Sequence, residues 1–351
     1  MPDTPTHSIP SAAAAGFRGK PASLKDIARE AGVSYSLVSK VLSGNMGTTG
    51  VRKELREKIL NTARKMDYRP HPLAAALKEG RKGAIGVMLH HFGERGSGLV
   101  EDLLRGISDG LDEHGLRMWL RFFEFDTELL EHIDQRLRRD VDGLIVAGVP
   151  HPATYTIIKN LHLSGLPVVS MFQHHFISGV PNVCQNLEQQ GFLPAMHLLA
   201  SGCTRIAHIV CAPMPLRHAG AEAAHAARGL TINPRLVFRS ATFGVADGVA
   251  AVSHWLDHGL TFDGIITQSD KQAAGAIHEL LRRGIRVPDD VRVTGMDNSP
   301  ITETGTVSIT SVTAEMEQVG RKTADMLADK LDGKTPESLL LQPRLVLRQS
   351  A

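Results

Sequence analysis

The run from Asp26 to Leu42, DIAREAGVSYSLVSKVL, admits few folds. One long helix through it would hold Gly32, Val33 and Ser34 at its centre, where glycine loses backbone entropy and serine competes for main-chain hydrogen bonds. Two short helices joined by a tight turn fit better. Leu24, Ile27, Ala28 and Ala31 make one apolar stripe, and Val33, Leu37, Val38, Val41 and Leu42 make the other. Ser23 stands at an N-cap, Asp26 follows in capping-box position, and Ser34 is placed to cap the second helix. Ala28 allows a close crossing, Gly32 suits a left-handed turn, and Val38 closes a small core. Tyr35, Ser36, Ser39 and Lys40 are left on the outer face of the second helix, where a major-groove reader carries its contacts.

Two short core helices of any protein can show this pattern, and the next residues favour the nucleic-acid reading. Arg52 to Met66 makes a third amphipathic helix carrying Arg52, Lys53, Arg56, Lys58, Arg64 and Lys65, and Tyr68-Arg69-Pro70-His71-Pro72 leads into an alanine-rich segment ending at Leu77. Charge is divided in the same way. Residues 1–82 hold 15 Lys and Arg against 7 Asp and Glu, whereas the remainder holds 24 against 30, so a total of +2 conceals a basic head and an acidic body. A basic head is the footprint of phosphate-backbone binding, and the acidic body is free for another task.

The stretch LKDIAREAGVSYSLVSKVL, followed by Tyr68-Arg69-Pro70 and the alanine-rich segment, resembles the lactose/galactose repressor family of bacterial transcription regulators. The likeness runs from about Ser23 to the C-terminus. It implies a small all-α helix-turn-helix headpiece and an α/β effector domain of two lobes, similar to periplasmic sugar-binding proteins. The expected divisions are a disordered tail over 1–20, a headpiece over 21–69, a hinge over 70–82 and an effector and dimerisation domain over 83–351. Lobe one would take about 83–180 and 310–335, and lobe two about 181–309 and 336–351, with crossings near 180, 309 and 335.

The alternation of the body agrees with that fold class. Apolar runs at 84–89, 143–148, 166–171, 205–211, 262–268 and 291–296 alternate with helix-length segments near Gly98–His114, Leu129–Arg139, Pro152–Leu163, Leu187–Ser201, Ala246–His258 and Lys271–Arg283. This is the pattern of parallel sheets with crossover helices, long enough to occur twice. No 18-residue apolar run is present, and the first twenty residues lack the basic start and apolar segment of a secretory signal. Cys184, Cys203 and Cys211 have neither metal-ligand spacing nor an even count. A bacterial cytoplasmic protein, nucleoid-associated when bound, is the expectation, with no cofactor and no metal.

Ligands of such sheets bind beyond the carboxyl ends of strands. His90-His91, Gln173-His174-His175, Arg217, Ser269-Asp270 and Asp297-Asn298 occupy those places. The resemblance carries effector contacts onto Arg217, in R-x-x-G with Gly220, onto Asp270 and onto Asp297; Ser269 stands where the family usually has asparagine, which alters one contact. The residues themselves leave other roles open, with Asp270 as a helix cap and Arg217 as a partner of Glu222. His90 and His174 are expected to donate hydrogen bonds to a polar effector; a four-histidine metal or anion site is the less favoured reading.

The resemblance further implies a homodimer on a pseudo-palindromic operator. Tyr35, Ser36 and Lys40 would read base edges, Ser34 and Ser39 would position the backbone, and the hinge would pack Ala74 and its neighbours against a symmetry mate while Leu77 wedges into the minor groove. Lys40 in place of the commoner arginine, the glycine-rich loop 43–50 and His71 in place of asparagine depart from the family pattern, and no heptad tail follows LVLRQS, against a tail-mediated tetramer. The effector is open between a sugar, a sugar phosphate and a purine. An enzyme on the same layers lacks G-x-x-x-x-G-K-[ST], G-x-G-x-x-G and G-x-S-x-G motifs, and a periplasmic-type solute binder does not explain the basic head.

Overall fold

A computed structural model describes residues 22–42, 50–68, 82–90, 98–123, 128, 137–148, 152–171, 177–212 and 214–351. The chain divides at Arg81 into two compact units. The first contains helices α1 (Leu24–Ala31), α2 (Tyr35–Leu42) and α3 (Lys53–Lys65). The capping box is formed: Ser23 Oγ accepts from the Asp26 amide at 3.3 Å, and the Asp26 carboxylate accepts from the Ser23 amide at 3.0 Å. Gly32 ends α1 at φ 67°, a left-handed value that lets the turn be this short. Ile27, Ala31, Val38, Val41, Ile59 and Ala63 close the core.

The second unit holds two lobes. In lobe one, β1 (Ala84–His90), β2 (Arg117–Phe123), β3 (Gly143–Ala147) and β4 (Val168–Met171) form a parallel sheet of order β2-β1-β3-β4. Both faces are covered. Ile85, Val87 and Leu89 meet α4 (Leu99–Glu113), while Met88, Leu144 and Val146 meet Ile158 and Leu161 of α6 (Pro152–Leu163). Of the helix expected over Leu129–Arg139, the described part is α5 (Leu137–Asp140).

Lobe two opens with α7 (Leu187–Ala200), β6 (Ile206–Cys211), α8 (Pro215–Ala226), β7 (Val237–Ser240) and α9 (Val245–Asp257). It continues with β8 (Gly264–Ile266), α10 (Asp270–Arg282), β9 (Arg292–Asp297) and β10 (Thr310–Thr313). With β12 (Leu345–Val346), which alone runs antiparallel, the strands order as β12-β10-β9-β8-β6-β7. α11 (Met316–Leu331) returns to lobe one, placing Val319 and Leu327 in the same core as Leu103 and Ile107 of α4. β5 (Val183–Gln185) pairs with β11 (Leu339–Leu341) beside β4.

The crossings therefore fall later than the expected 180, 309 and 335: after Gln185, after Thr313 and after Leu341. Pairing decides this. Thr310 bonds in register with Thr294 of β9, so β10 belongs to lobe two and not to the 310–335 segment of lobe one, and Leu339 bonds with Val183. The three crossings are themselves joined: Asn186 N donates to Leu341 O at 2.9 Å, and Thr313 N donates to Arg344 O at 2.8 Å.

Three helix pairs, α4 with α11, α7 with α8, and α9 with α10, cross at glycines on both partners. A β-carbon at Gly106, Gly320, Gly191, Gly220, Gly248 or Gly275 would overlap a main-chain oxygen of the facing helix. No helix among the described residues is long and apolar enough to cross a membrane.

Candidate functional site

With Val38 and Val41 turned inward, α2 leaves Ser34, Tyr35, Ser36 and Lys40 exposed and Ser39 half-buried. Tyr35 keeps 51% of its surface in solvent. Ser34 Oγ accepts from Leu37 N at 3.3 Å, so this residue caps α2 as well as bordering its outer face. Arg52, Lys53, Arg56, Lys58, Arg64 and Lys65 are all exposed on the same unit, the cationic complement that a helix lying in a groove needs against flanking phosphates. Ala74 and Leu77 lie outside the described residues.

The second site lies where the carboxyl ends of the lobe-two strands meet the crossings. Arg217 follows β6, Gln268 and Ser269 follow β8, and Asp297 and Asn298 close β9. The Arg217 side chain is 9% exposed: its Nε donates to Gln190 Oε1 at 2.9 Å, its Nη1 to Gln268 O at 3.0 Å, and its Nη2 stands 3.9 Å from Asp297 Oδ1. Glu222 is not its partner; that carboxylate lies 3.6 Å from His218 Nε2. Burial lowers the arginine's proton affinity, and Asp297, Cys211 and Asp270 oppose that.

Asp297 and Asn298 take φ values of 100° and 53°, left-handed conformations that cost non-glycine residues on the order of 1–3 kcal/mol each. Asp297 Oδ1 and Asn298 Oδ1 are both buried and accept no hydrogen bond. Both residues border a cavity of about 200 Å³ whose other walls are Leu99, Asp102, Thr313, Ala314, Glu315, Met316, Glu317 and Arg344. The walls come from both lobes and from two crossings. Buried acceptors without donors are energetically unfavourable until something supplies the donors. The Arg344 charge is matched locally, its Nη2 lying 2.7 Å from Glu315 Oε1.

Asp270 is placed differently from the expectation of a direct effector contact. It is buried, and its carboxylate accepts from Ser299 N at 2.6 Å, from Ser299 Oγ at 2.9 Å and from Ser311 Oγ. Nor is it the helix cap. Ser269 caps α10, accepting from Gln272 N at 3.0 Å and donating to Phe243 O at 2.6 Å, so the serine that replaces asparagine is occupied within the lobe. His90 packs against Phe123, with ring centroids 5.2 Å apart, at the carboxyl end of β1. His91, His174 and His175 lie outside the described residues; among the described residues no group of three His, Cys, Asp or Glu is placed to hold a metal ion.

Burial and its neighbour Asp297 raise the Asp270 pKa to about 7, against hydrogen bonds from Ser311 and Ser299; burial raises Asp297 to about 6, against the pull of Arg217. Both carboxyls bind a proton more tightly in the fold than in an unfolded chain, where aspartate titrates near 3.8. The stability they contribute is therefore complete below about pH 4 and is lost as pH rises through about 6 and 7. Melting curves between pH 4.5 and 8 are expected to show a falling Tm whose slope flattens in Asp270→Asn, even where that variant melts lower throughout. An unchanged slope in the variant would remove Asp270 from the account.

Gln190 and Gln268 are neighbours of Arg217 that the sequence reading did not select, whereas Asn298 was named there without an assigned contact. Asn298 adjoins a selected residue. Gln190 left a visible trace: it interrupts the apolar stripe Leu187, Gly191, Pro194, Ala195 and Leu198 on the buried side of α7.

Comparison with known proteins places both sites in context. The model described as bacterial regulatory proteins, lacI family, matches residues 23–71, and that of the periplasmic binding protein-like domain matches 195–351. Catabolite control protein A of Priestia megaterium is 27% identical over 333 residues, covering 93% of this chain and 98% of the relative. The structure of the transcriptional regulator CelR in complex with cellobiose superposes with a TM-score of 0.67 at 25% identity, covering 94% of this chain and 100% of the other. The lac repressor dimer bound to operator and the anti-inducer ONPF has the same fold, with a TM-score of 0.74 at 22% identity and coverage of 94% and 99%.

Proposed function

Because the chain belongs to the lactose/galactose repressor (lacI) family of bacterial regulatory proteins, we propose that it binds a pseudo-palindromic operator as a homodimer and that a sugar in the inter-lobe cleft controls its affinity. The chain is a DNA-binding transcription regulator and not an enzyme. Repression in the bacterial cytoplasm is the mode that suits such a protein. On the DNA, Tyr35, Ser36 and Lys40 read base edges, Ser34 and Ser39 fix the approach to the backbone, and Ala74 and Leu77 act in the hinge. Lysine at position 40 supplies a point charge and not a fork, so guanine is read there less stringently than by arginine.

The observation that carries the effector reading is the cavity lined from both lobes and two crossings, with the polar residues Asp297 and Asn298 in its wall. Vicinal hydroxyls supply the donors that such a pair requires. Arg217 holds Asp297 in place, Asp270 anchors Ser299 and Ser311, and His90 and His174 donate hydrogen bonds to the effector. A phosphorylated sugar is disfavoured, because Asp102, Asp297 and Glu317 border the same space and would repel it. This favours a free sugar over a sugar phosphate.

Operator selection with the purified chain at 50 and 200 mM salt, with and without a panel of free and phosphorylated sugars, tests the proposal. A palindrome is expected, with affinity falling ~10³-fold between the two salts and changing roughly 5–150-fold with one free sugar. Selection without dyad symmetry would overturn the operator reading, and a response confined to phosphorylated sugars would overturn the effector reading.

A further inference from the structure

Gln190 is fully buried, and every polar group of its side chain is committed. Arginine has only donors, so the group it meets at 2.9 Å must be the amide oxygen, which fixes the orientation of the whole amide. The amide nitrogen then donates to Gln185 Oε1 at 3.0 Å and lies 3.5 Å from Thr313 O. Gln185 ends β5 and Thr313 ends β10. These are the last residues before the first and second crossings, and Thr313 is bonded in turn to Arg344 in the third. A single side chain thus joins Arg217, the cation facing Asp297, to the segments that connect the two lobes.

We propose that Gln190 is the positioning residue that couples the state of the effector site to the arrangement of the crossings. The proposal rests on the reading of the cleft as an effector site. A ligand that satisfies Asp297 changes the force on the Arg217 guanidinium, and the guanidinium transmits it through the amide to Gln185 and Thr313. The amide suits this role chemically. Its one acceptor takes the arginine and its two donors take the two crossings; glutamate keeps the acceptor but has no donor, and leucine has neither.

The test uses the full chain and two readouts. Hydrogen–deuterium exchange of the peptides covering 183–187 and 311–317 is measured in the wild type, Arg217→Met, Gln190→Leu and the double variant. Arg217→Met is expected to speed exchange there about tenfold when Gln190 is present and to add nothing when it is absent; additive effects would overturn the proposal, whether or not any sugar binds. Where Gln190→Leu fails to fold, Gln190→Glu replaces it in the same cycle. The second readout uses D-glucose, D-galactose, D-ribose and cellobiose as probes. With the sugar active on the wild type at saturating concentration, confirmed by direct binding to the variant, operator affinity of Gln190→Glu is expected no longer to respond. A normal operator response in Gln190→Glu would also overturn the proposal. No response to any probe in the wild type would count against the effector reading alone, leaving the exchange cycle to decide the role of Gln190.

Discussion

Arg217→Leu is expected to abolish the effector response while the ligand-free protein still binds its operator. The guanidinium is buried, hydrogen-bonded to Gln190 and to Gln268 O, and lies 3.9 Å from Asp297. Its loss leaves the buried Asp297, whose pKa is about 6 beside the arginine, without its cation. Removing one partner of a buried ion pair destabilises by about 3 kcal/mol or more where the remaining carboxylate is ionised, at about pH 8, and by less at about pH 5, where it is protonated. Loss of the fork should also weaken sugar binding at least about a hundredfold. The headpiece is a separate compact unit and keeps its core. Fluorescence anisotropy on a labelled operator, titrated with sugar, and a melting curve check both parts; an intact sugar response in Arg217→Leu would show that the guanidinium is dispensable to the cleft. Lysine would not rescue it, since one ammonium cannot reach Gln190, Gln268 O and Asp297 in a plane.

The second large effect is expected from Gly191→Val. Gly191 on α7 faces the carbonyl of Arg217 on α8, and Gly220 on α8 faces the carbonyl of Glu188 on α7, so the two backbones touch with no side chain between them. A β-carbon at Gly191 would approach the Arg217 oxygen more closely than real β-carbons approach anything. The helices must separate, opening the packing of Leu198, Ala221 and Ala224 and shifting Arg217. Overpacking on this scale costs about 3 kcal/mol, or roughly 10 °C in Tm for a domain of this size. Calorimetry of the variant is the check. An unchanged transition would mean that α7 and α8 accommodate a wider crossing and that the glycines are not required for it.

How much of this was legible in the sequence depended on whether a residue's partner was local. The headpiece was readable because its signals are short-range: Ser23 and Asp26 cap across three residues, Gly32 turns the chain, and Ile27, Ala31, Val38 and Val41 repeat with the period of a helix. The central strands were readable because both of their faces are buried, which leaves continuous apolar runs such as AIGVML and GLIVAG. Strands β2, β5, β7, β10, β11 and β12 were missed. Most are short or partly exposed, and TSVT and VCQ carry polar residues that become strand only when Thr294 or Leu340 lies alongside. At the site, strand ends directed attention to Arg217 and Asp297, whose side chains the fold brings to 3.9 Å from each other. How Asp270 is held was not legible, because its donors, Ser299 and Ser311, are 29 and 41 residues away in the chain, and no local pattern announces that a carboxylate will be satisfied from there.

The three crossings also impose an order on synthesis. The face of the lobe-one sheet made by Ile85, Val87, Leu89, Ile145 and Val169 is shared with Val319 and Leu327 of α11, and β5 has no partner until Leu339–Leu341 exists. A nascent chain leaving the ribosome completes its headpiece first, then all of the lobe-two strands but β12, and only afterwards the helix that covers lobe one. Through most of translation, a folded DNA-binding head is therefore tethered to an unfinished apolar surface. A message broken before the codons of α11 would yield a polypeptide with a complete headpiece and a body suited to chaperones and proteases.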